Sequence, residues 1–275
     1  ADGDYTDNDS SVTITAGNTT NTITVNVAAD DKVEGDETFT VGLSSVVDGA
    51  RSVTASATAG TGTLLNDDTA TVSIAATTQA AEDATNGLFT LTTTGQFQDA
   101  VTVDFAVSGT ATSDGDYTSI GTSVVFPALS STVTIPVTVI ADAVVEADET
   151  VIVTLSTTSN ADVGVDATSA TVTITDDDTT TVSITANDAA ASEALLDAGQ
   201  FTVSLDGGKV APTGGVQVNF TVTGTAIAGS AYTALGASVT IGGGAGSATI
   251  DVTPLADAIV EASETVIVTL DSTDN

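Results

Sequence analysis

The sequence predicts an all-β fold: a linear array of β-sandwich modules of about seven strands each. Three observations predict it. Apolar residues alternate with threonine, serine or other polar residues at period two, three short motifs recur in constant order, and no stretch carries a convincing helical pattern. Threonine and valine dominate the alternating stretches because a branched Cβ packs well on a pleated surface and loses rotamer freedom in a helix.

In chain order the alternation predicts strands at Ile23–Val27, Val72–Ala75, Leu88–Thr92, Val101–Val107, Ser123–Phe126, Thr134–Ile140, Val151–Leu155 and Thr171–Thr175, and a further strand opening at Val182. Each has one face fit for burial. Ala189–Leu196 reads as a loop carrying Glu193. Gly207-Gly208-Lys209 reads as a turn, since it lacks the spacing and the Ser/Thr of a phosphate-binding loop, and Gly242-Gly243-Gly244 as a bulge or hairpin.

The repeats set the domain organisation. Gly-Asp-Tyr-Thr at Gly3–Thr6 returns at Gly115–Thr118 and, as Ser-Ala-Tyr-Thr, at Ser230–Thr233, so that Tyr5, Tyr117 and Tyr232 lie 112 and 115 residues apart. Val-Glu-Gly-Asp-Glu-Thr at Val33–Thr38 returns at Val145–Thr150 and Val260–Thr265 with the same two spacings. Asn66-Asp67-Asp68 is matched by Asp176-Asp177-Asp178, each just before a strand. The chain divides accordingly into residues 1–68, a module lacking its beginning, 69–178, a whole module, and 179–275, a module lacking its last strand. No proline- or glycine-rich linker separates them, so neighbouring modules of the same chain must touch.

Composition narrows the chemistry. With 37 acidic and 3 basic residues and no histidine, the 275-residue chain carries a formal charge of −34. Nucleic acid and anionic membranes are excluded as partners, because binding either needs lysine or arginine to neutralise phosphate. Cysteine, methionine, tryptophan and histidine are absent, which removes the usual ligands of zinc, copper and haem and the groups of Cys/His or Ser/His/Asp catalysis. Hydrophobic residues at 41% supply cores, and no apolar run approaches the ~20 residues of a membrane span. Oxygen chemistry remains, and hard cations, calcium above all, are held by carboxylate and carbonyl oxygens.

The carboxylates fall at strand ends. In the whole module Glu82 and Asp83 occupy the first loop, Asp116 precedes the tyrosine, Asp142, Glu146, Asp148 and Glu149 share another loop, and Asp176–Asp178 follow the final strand. Loops after strands of one direction gather at one end of a sandwich, so these groups converge there and repel one another unless a cation neutralises them.

The Gly-Asp-Tyr-Thr loop, the Asp-x-x-x-Glu-x-Asp-Glu-Thr segment at Asp142–Thr150 and the closing Asp176–Asp178 together resemble tandem Calx-β repeats, the module known from sodium–calcium exchangers and from long arrays in large bacterial surface and secreted proteins. The resemblance covers essentially the whole chain and implies an immunoglobulin-like seven-stranded sandwich that binds Ca²⁺ at one tip. It implies that role for Glu82, Asp116, Asp142, Glu146, Asp148, Glu149, Asp176, Asp177 and Asp178. In the first module it maps onto Asp4, Asp30, Glu34, Asp36, Glu37, Asp67 and Asp68, where Lys32 intrudes. In the third module Ala231 and Ser263 replace two of the acids, leaving Glu193, Asp257, Glu261 and Glu264 for fewer ions or none.

The function expected is that of a non-enzymatic structural extender. Calcium at each junction stiffens an extracellular or cell-surface array, for adhesion or a biofilm matrix, and identical chains join head to tail as a filament. The alternative is a calcium sensor that regulates an attached protein through inter-domain geometry. An enzyme with paired carboxylates is the poorest fit, because a catalytic pair is rarely copied along an array.

Overall fold

The computed structural model describes residues 3–6, 11–49, 53–166 and 169–273. All its regular elements are strands, apart from one short 3-10 turn at Asp206–Gly208. Among the described residues no helix is long and apolar enough to cross a membrane.

The first module contributes β1 (Lys32–Val33), β2 (Glu37–Val41) and β3 (Gly60–Leu64), with β2 and β3 paired antiparallel. The second holds β4 (Ala70–Thr78), β5 (Ala80–Ala81), β6 (Gly87–Thr93), β7 (Gln96–Phe97), β8 (Val101–Gly109), β9 (Ser123–Phe126), β10 (Thr132–Val137), β11 (Glu149–Thr158), β12 (Val163–Val165) and β13 (Ser169–Thr175). Two sheets form, ordered β10-β6-β4-β12 and β5-β13-β11-β8-β9. The third module repeats the plan with β14 (Val182–Asp188), β15 (Gly199–Leu205), β16 (Val216–Gly224), β17 (Ser238–Ile241), β18 (Ser247–Val252) and β19 (Val266–Thr273), in sheets β14-β15-β18 and β17-β16-β19.

Period two decides which residues enter the core. Along β4 the buried residues are Ala70, Val72 and Ile74, along β6 Gly87, Phe89 and Leu91, and along β11 Val151, Val153 and Leu155. Alternate side chains of a strand face opposite sides of its sheet, so these residues meet between the two layers. Phe97 and Phe126 close one end of this core edge to face, with ring centroids 5.6 Å apart. Val203, Val218, Phe220 and Ile241 form the equivalent core of the third module. Tyr117 and Tyr232 are buried beside their loops as anchors, and burial raises the pKa of Tyr117.

One expected strand is absent. Ile23–Val27 contains only an isolated bridge, Val27 to Tyr5. Its counterpart β10 is a strand because it pairs with β6 over six residues, and β6 precedes the tyrosine loop. Among the described residues no strand lies beside Ile23–Val27, so the alternating segment joins no ladder. In the second module the expected Thr134–Ile140 is observed as Thr132–Val137, followed by a bridge from Val139 to Tyr117. Ala189–Leu196 is non-helical, closed by a Ser192–Asp197 bridge.

Modules are joined by main-chain pairing as well as by the chain itself. β1 of the first module runs parallel to β7 of the second, Lys32 opposite Gln96 and Val33 opposite Phe97. At the next joint Val144 pairs in parallel with Val210, with Val210 N donating to Ala143 O at 2.9 Å and Val145 N donating to Val210 O at 3.1 Å. In both cases the pairing segment is the loop that carries the Val-Glu motif.

Candidate metal centre

The second module gathers carboxylates from four stretches of chain at one end of the sandwich. Asp116, Glu146 and Glu149 offer oxygens that all lie within 4.8 Å of one another. Glu82, only 7% exposed, feels the charges of Asp142, Asp176, Asp177 and Glu146. Backbone amides hold several of these side chains in place: Val144 N donates to Asp142 Oδ1 at 2.7 Å, Glu146 N to Asp176 Oδ2 at 3.0 Å, and Asp178 N to Asp176 Oδ1 at 3.1 Å. Asp148 stays exposed, and among the described residues no hydrogen bond ties it to the cluster.

Packing these groups together has an electrostatic consequence. Burial, then the neighbouring aspartates, push Glu82 up to about 7. Glu149 is raised to about 7 by burial and by the Asp116 carboxyl beside it, and Glu146 is raised by burial and by Asp116, Asp142 and Asp176. Burial and mutual repulsion thus disfavour the ionised form of these carboxyls, a penalty that a cation among them would relieve.

Asp178 has a different partner. It is 8% exposed, and its Oδ1 accepts a hydrogen bond from Lys209 Nζ of the third module, while its Oδ2 is buried with no hydrogen-bond partner among the described residues. The turn reading of Gly207-Gly208-Lys209 agrees with the structure, but residue type and spacing assign the lysine no role. Scarcity was the available signal: the chain has only three basic residues, and both lysines lie at joints.

The first module repeats the arrangement. Asp4, Asp30 and Glu34 bring oxygens within 4.8 Å of one another, and a cavity of about 70 Å³ beside them is also lined by Glu37, Asp67 and Asp68. Asp36 accepts a hydrogen bond from Asn66 N at 3.1 Å. Asn66 stands where the second module has Asp176, and its Oδ1 accepts from Glu34 N and Asp68 N, both at 3.3 Å. Lys32 Nζ lies 2.7 Å from Glu34 Oε1 and 3.4 Å from Asp30 Oδ2, so an ammonium group already neutralises part of the cluster. A backbone hydrogen bond from Lys32 lowers the pKa of Asp30, whereas burial and neighbouring acids raise that of Asp68.

The third module keeps the frame and loses the convergence. Ile259 N donates to Asp257 Oδ1 at 2.6 Å, as Val144 N does to Asp142. Burial, then Asp257, Glu264 and Glu193, raise the pKa of Glu261. With Ala231 and Ser263 in place of acids, no three carboxylates there come within 4.8 Å among the described residues.

An all-oxygen donor set suits a hard divalent cation. Calcium accepts ~6–8 oxygens at ~2.3–2.6 Å in flexible geometry, which fits carboxylates drawn from several loops. In the second module Asp116, Glu146 and Glu149 bring oxygens close enough to share such a cation, with Glu82, Asp142, Asp176 and Asp177 as charged neighbours.

A model of the Calx-beta domain matches residues 1–75, 66–178 and 176–275. No curated protein matches. Among solved structures, CBD12 from CALX1.2 is 20% identical, with 72% of this chain and 79% of that chain covered and a TM-score of 0.35. The apo-form Calx CBD1 domain is 22% identical over 40% of this chain and 100% of that one, also at 0.35. The calcium binding domain CBD12 of CALX1.1 is 19% identical over 72% and 80%, at 0.34.

Proposed function

The chain belongs to the Calx-beta domain family, with three such domains in tandem, and from that premise we propose that it is a calcium-binding structural repeat region, a stiff extracellular extender. The observation that carries the reading is the location of the acidic loops. At both joints the loop bearing the Val-Glu motif is itself hydrogen-bonded to the next module. A cation that orders this loop therefore orders the joint.

The residues do the following. Glu82, Asp116, Asp142, Glu146, Glu149, Asp176 and Asp177 bind the ion of the second module, and Asp4, Asp30, Glu34, Glu37, Asp67 and Asp68 that of the first, where Lys32 lowers the charge left for calcium. Calcium supplies the positive charge that lets these carboxylates lie together ionised. Lys209 pins the third module to Asp178. Val33 is 1% exposed under the second module, whereas Val260, its counterpart in the third, is 100% exposed. A further module, of this chain or of an identical one, docks on that face and extends the rod head to tail. An array of this kind suits a cell surface or matrix, where calcium reaches millimolar concentration.

The test is thermal unfolding in millimolar calcium and in excess chelator, with small-angle scattering for length. Calcium is expected to raise the melting temperature and turn a bent, variable particle into a rod. If neither stability nor shape responds, the carboxylates are surface charge and the reading fails. A response confined to micromolar calcium, with two discrete shapes, would favour a sensor instead.

A further inference from the structure

We propose that Thr110 and Thr150 are positioning residues of the second module's metal centre: their hydroxyls clasp the loop that carries Asp116 to the strand that begins with Glu149, so that the carboxylates are aligned before a cation arrives. This rests on the calcium reading of the cluster.

The clasp begins at Gly109, the last residue of β8. Its φ of +131° belongs to a region that favours glycine, and a Cβ there would lie 2.0 Å from Thr150 O. Only glycine lets the outgoing chain cross so close above β11. Once across, the two chains bond reciprocally. Thr110 N donates to Thr150 Oγ1 at 3.2 Å, Thr150 N donates to Thr110 Oγ1 at 2.9 Å, and Ala111 N donates to Thr150 O at 3.1 Å.

Both sides of this crossing lead directly to ligands. Thr150 adjoins Glu149. From Ala111 the chain enters a tight loop in which Thr112 N donates to the Asp116 carboxylate and Thr112 O accepts from Asp116 N at 2.9 Å. The relative position of Asp116 and Glu149, whose oxygens meet within 4.8 Å, is thus set through Thr110 and Thr150. Neither threonine is itself a ligand.

The third module shows that the carboxylates do not create the clasp. There Gly224 has φ +130° and a Cβ would lie 2.0 Å from Thr265 O; Thr225 N donates to Thr265 Oγ1 at 3.3 Å, and Thr265 N donates to Thr225 Oγ1 at 2.9 Å. The loop beyond is closed by Ala231 N donating to Ile227 O at 2.8 Å, as Asp116 N does to Thr112 O, although residue 231 has no carboxylate. The frame therefore forms from backbone and hydroxyl groups alone and stands ready for whichever side chains occupy it. Outer groups that orient ligands in this way commonly affect metal affinity about 10–100-fold.

The test uses the full chain and the variants Thr150→Val and Thr150→Ser, titrated with calcium and melted in chelator. Valine keeps the branched Cβ that suits a strand and removes the hydroxyl, while serine restores it. Thr150→Val is expected to weaken one class of calcium sites about tenfold or more, with Thr150→Ser close to wild type and both melting like wild type in chelator. Thr110→Val, acting from the opposite side of the clasp, is expected to reproduce the loss and serves if Thr150→Val does not fold. Unchanged affinity in a folded valine variant, no rescue by serine, or a loss matched by lower melting in chelator would each overturn the proposal. A wild-type chain that binds no calcium would remove the underlying reading, and this proposal with it.

Discussion

Replacing Glu82 by glutamine separates the electrostatic from the structural part of the argument, because its effect should change sign with calcium. Glu82 is raised from 4.5 to about 7, first by burial and then by Asp142, Asp176, Asp177 and Glu146. A carboxyl with its folded pKa above its unfolded value keeps a proton in the folded state between the two. The contribution of Glu82 to the metal-free fold is therefore fully present below about 4.5 and is lost as pH rises through about 7. At 1.36 kcal/mol per pKa unit the loss has an upper bound of about 3 kcal/mol, which water at this rim and relaxation reduce to ~1–2 kcal/mol. Glutamine has nearly the same shape and no charge to bury. In chelator at about pH 8 the variant should melt roughly 5–10 °C above wild type, whereas at about pH 4 the two should coincide. In millimolar calcium the order should invert, since the variant has lost a ligand. Differential scanning calorimetry across this pH range is the assay. A variant that melts no higher than wild type in chelator at the upper pH, or gains equally at the lower, refutes the claim that Glu82 is held against repulsion.

Three further outcomes are expected. Lys209→Met leaves the Asp178 carboxylate buried without its ammonium partner and should lower stability in chelator by about 1–3 kcal/mol, seen as an earlier calorimetric transition. Ala231→Asp with Ser263→Asp should add calcium to the third module, whose loop and clasp already match those of the second; unchanged stoichiometry by titration would show that more than two side chains are missing. Gly109→Ala places a Cβ against Thr150 O at a φ that alanine rarely adopts, and should cost at least about 3 kcal/mol in chelator melts.

The strands were largely legible because period two is local: Val101-Thr102-Val103-Asp104-Phe105 shows its buried face without reference to any other part of the chain. Ile23–Val27 shows the limit of that logic, since its alternation matches that of β10 and it still forms no ladder. A strand is completed by its partner. The repeat motifs likewise marked the acids worth considering, yet Glu146 is half-buried among other carboxyls while Asp148, two residues further on, stays in solvent.

By itself the sequence determined the all-β class, the threefold repeat, the oxygen-only chemistry and the loss of acids at Ala231 and Ser263, because each is a property of residue type and spacing along one chain. Tertiary structure alone decided which carboxylates meet, that Lys209 reaches Asp178 across a joint, that Lys32 lies between Asp30 and Glu34, and that the acidic loops pair with the next module. The physical reason is that Coulomb interactions and hydrogen bonds depend on distance in space. Glu82 and Asp176 are far apart in sequence, and only the parallel pairing of β5 with β13, which brings Glu82 N to Thr175 O at 3.1 Å, makes them neighbours.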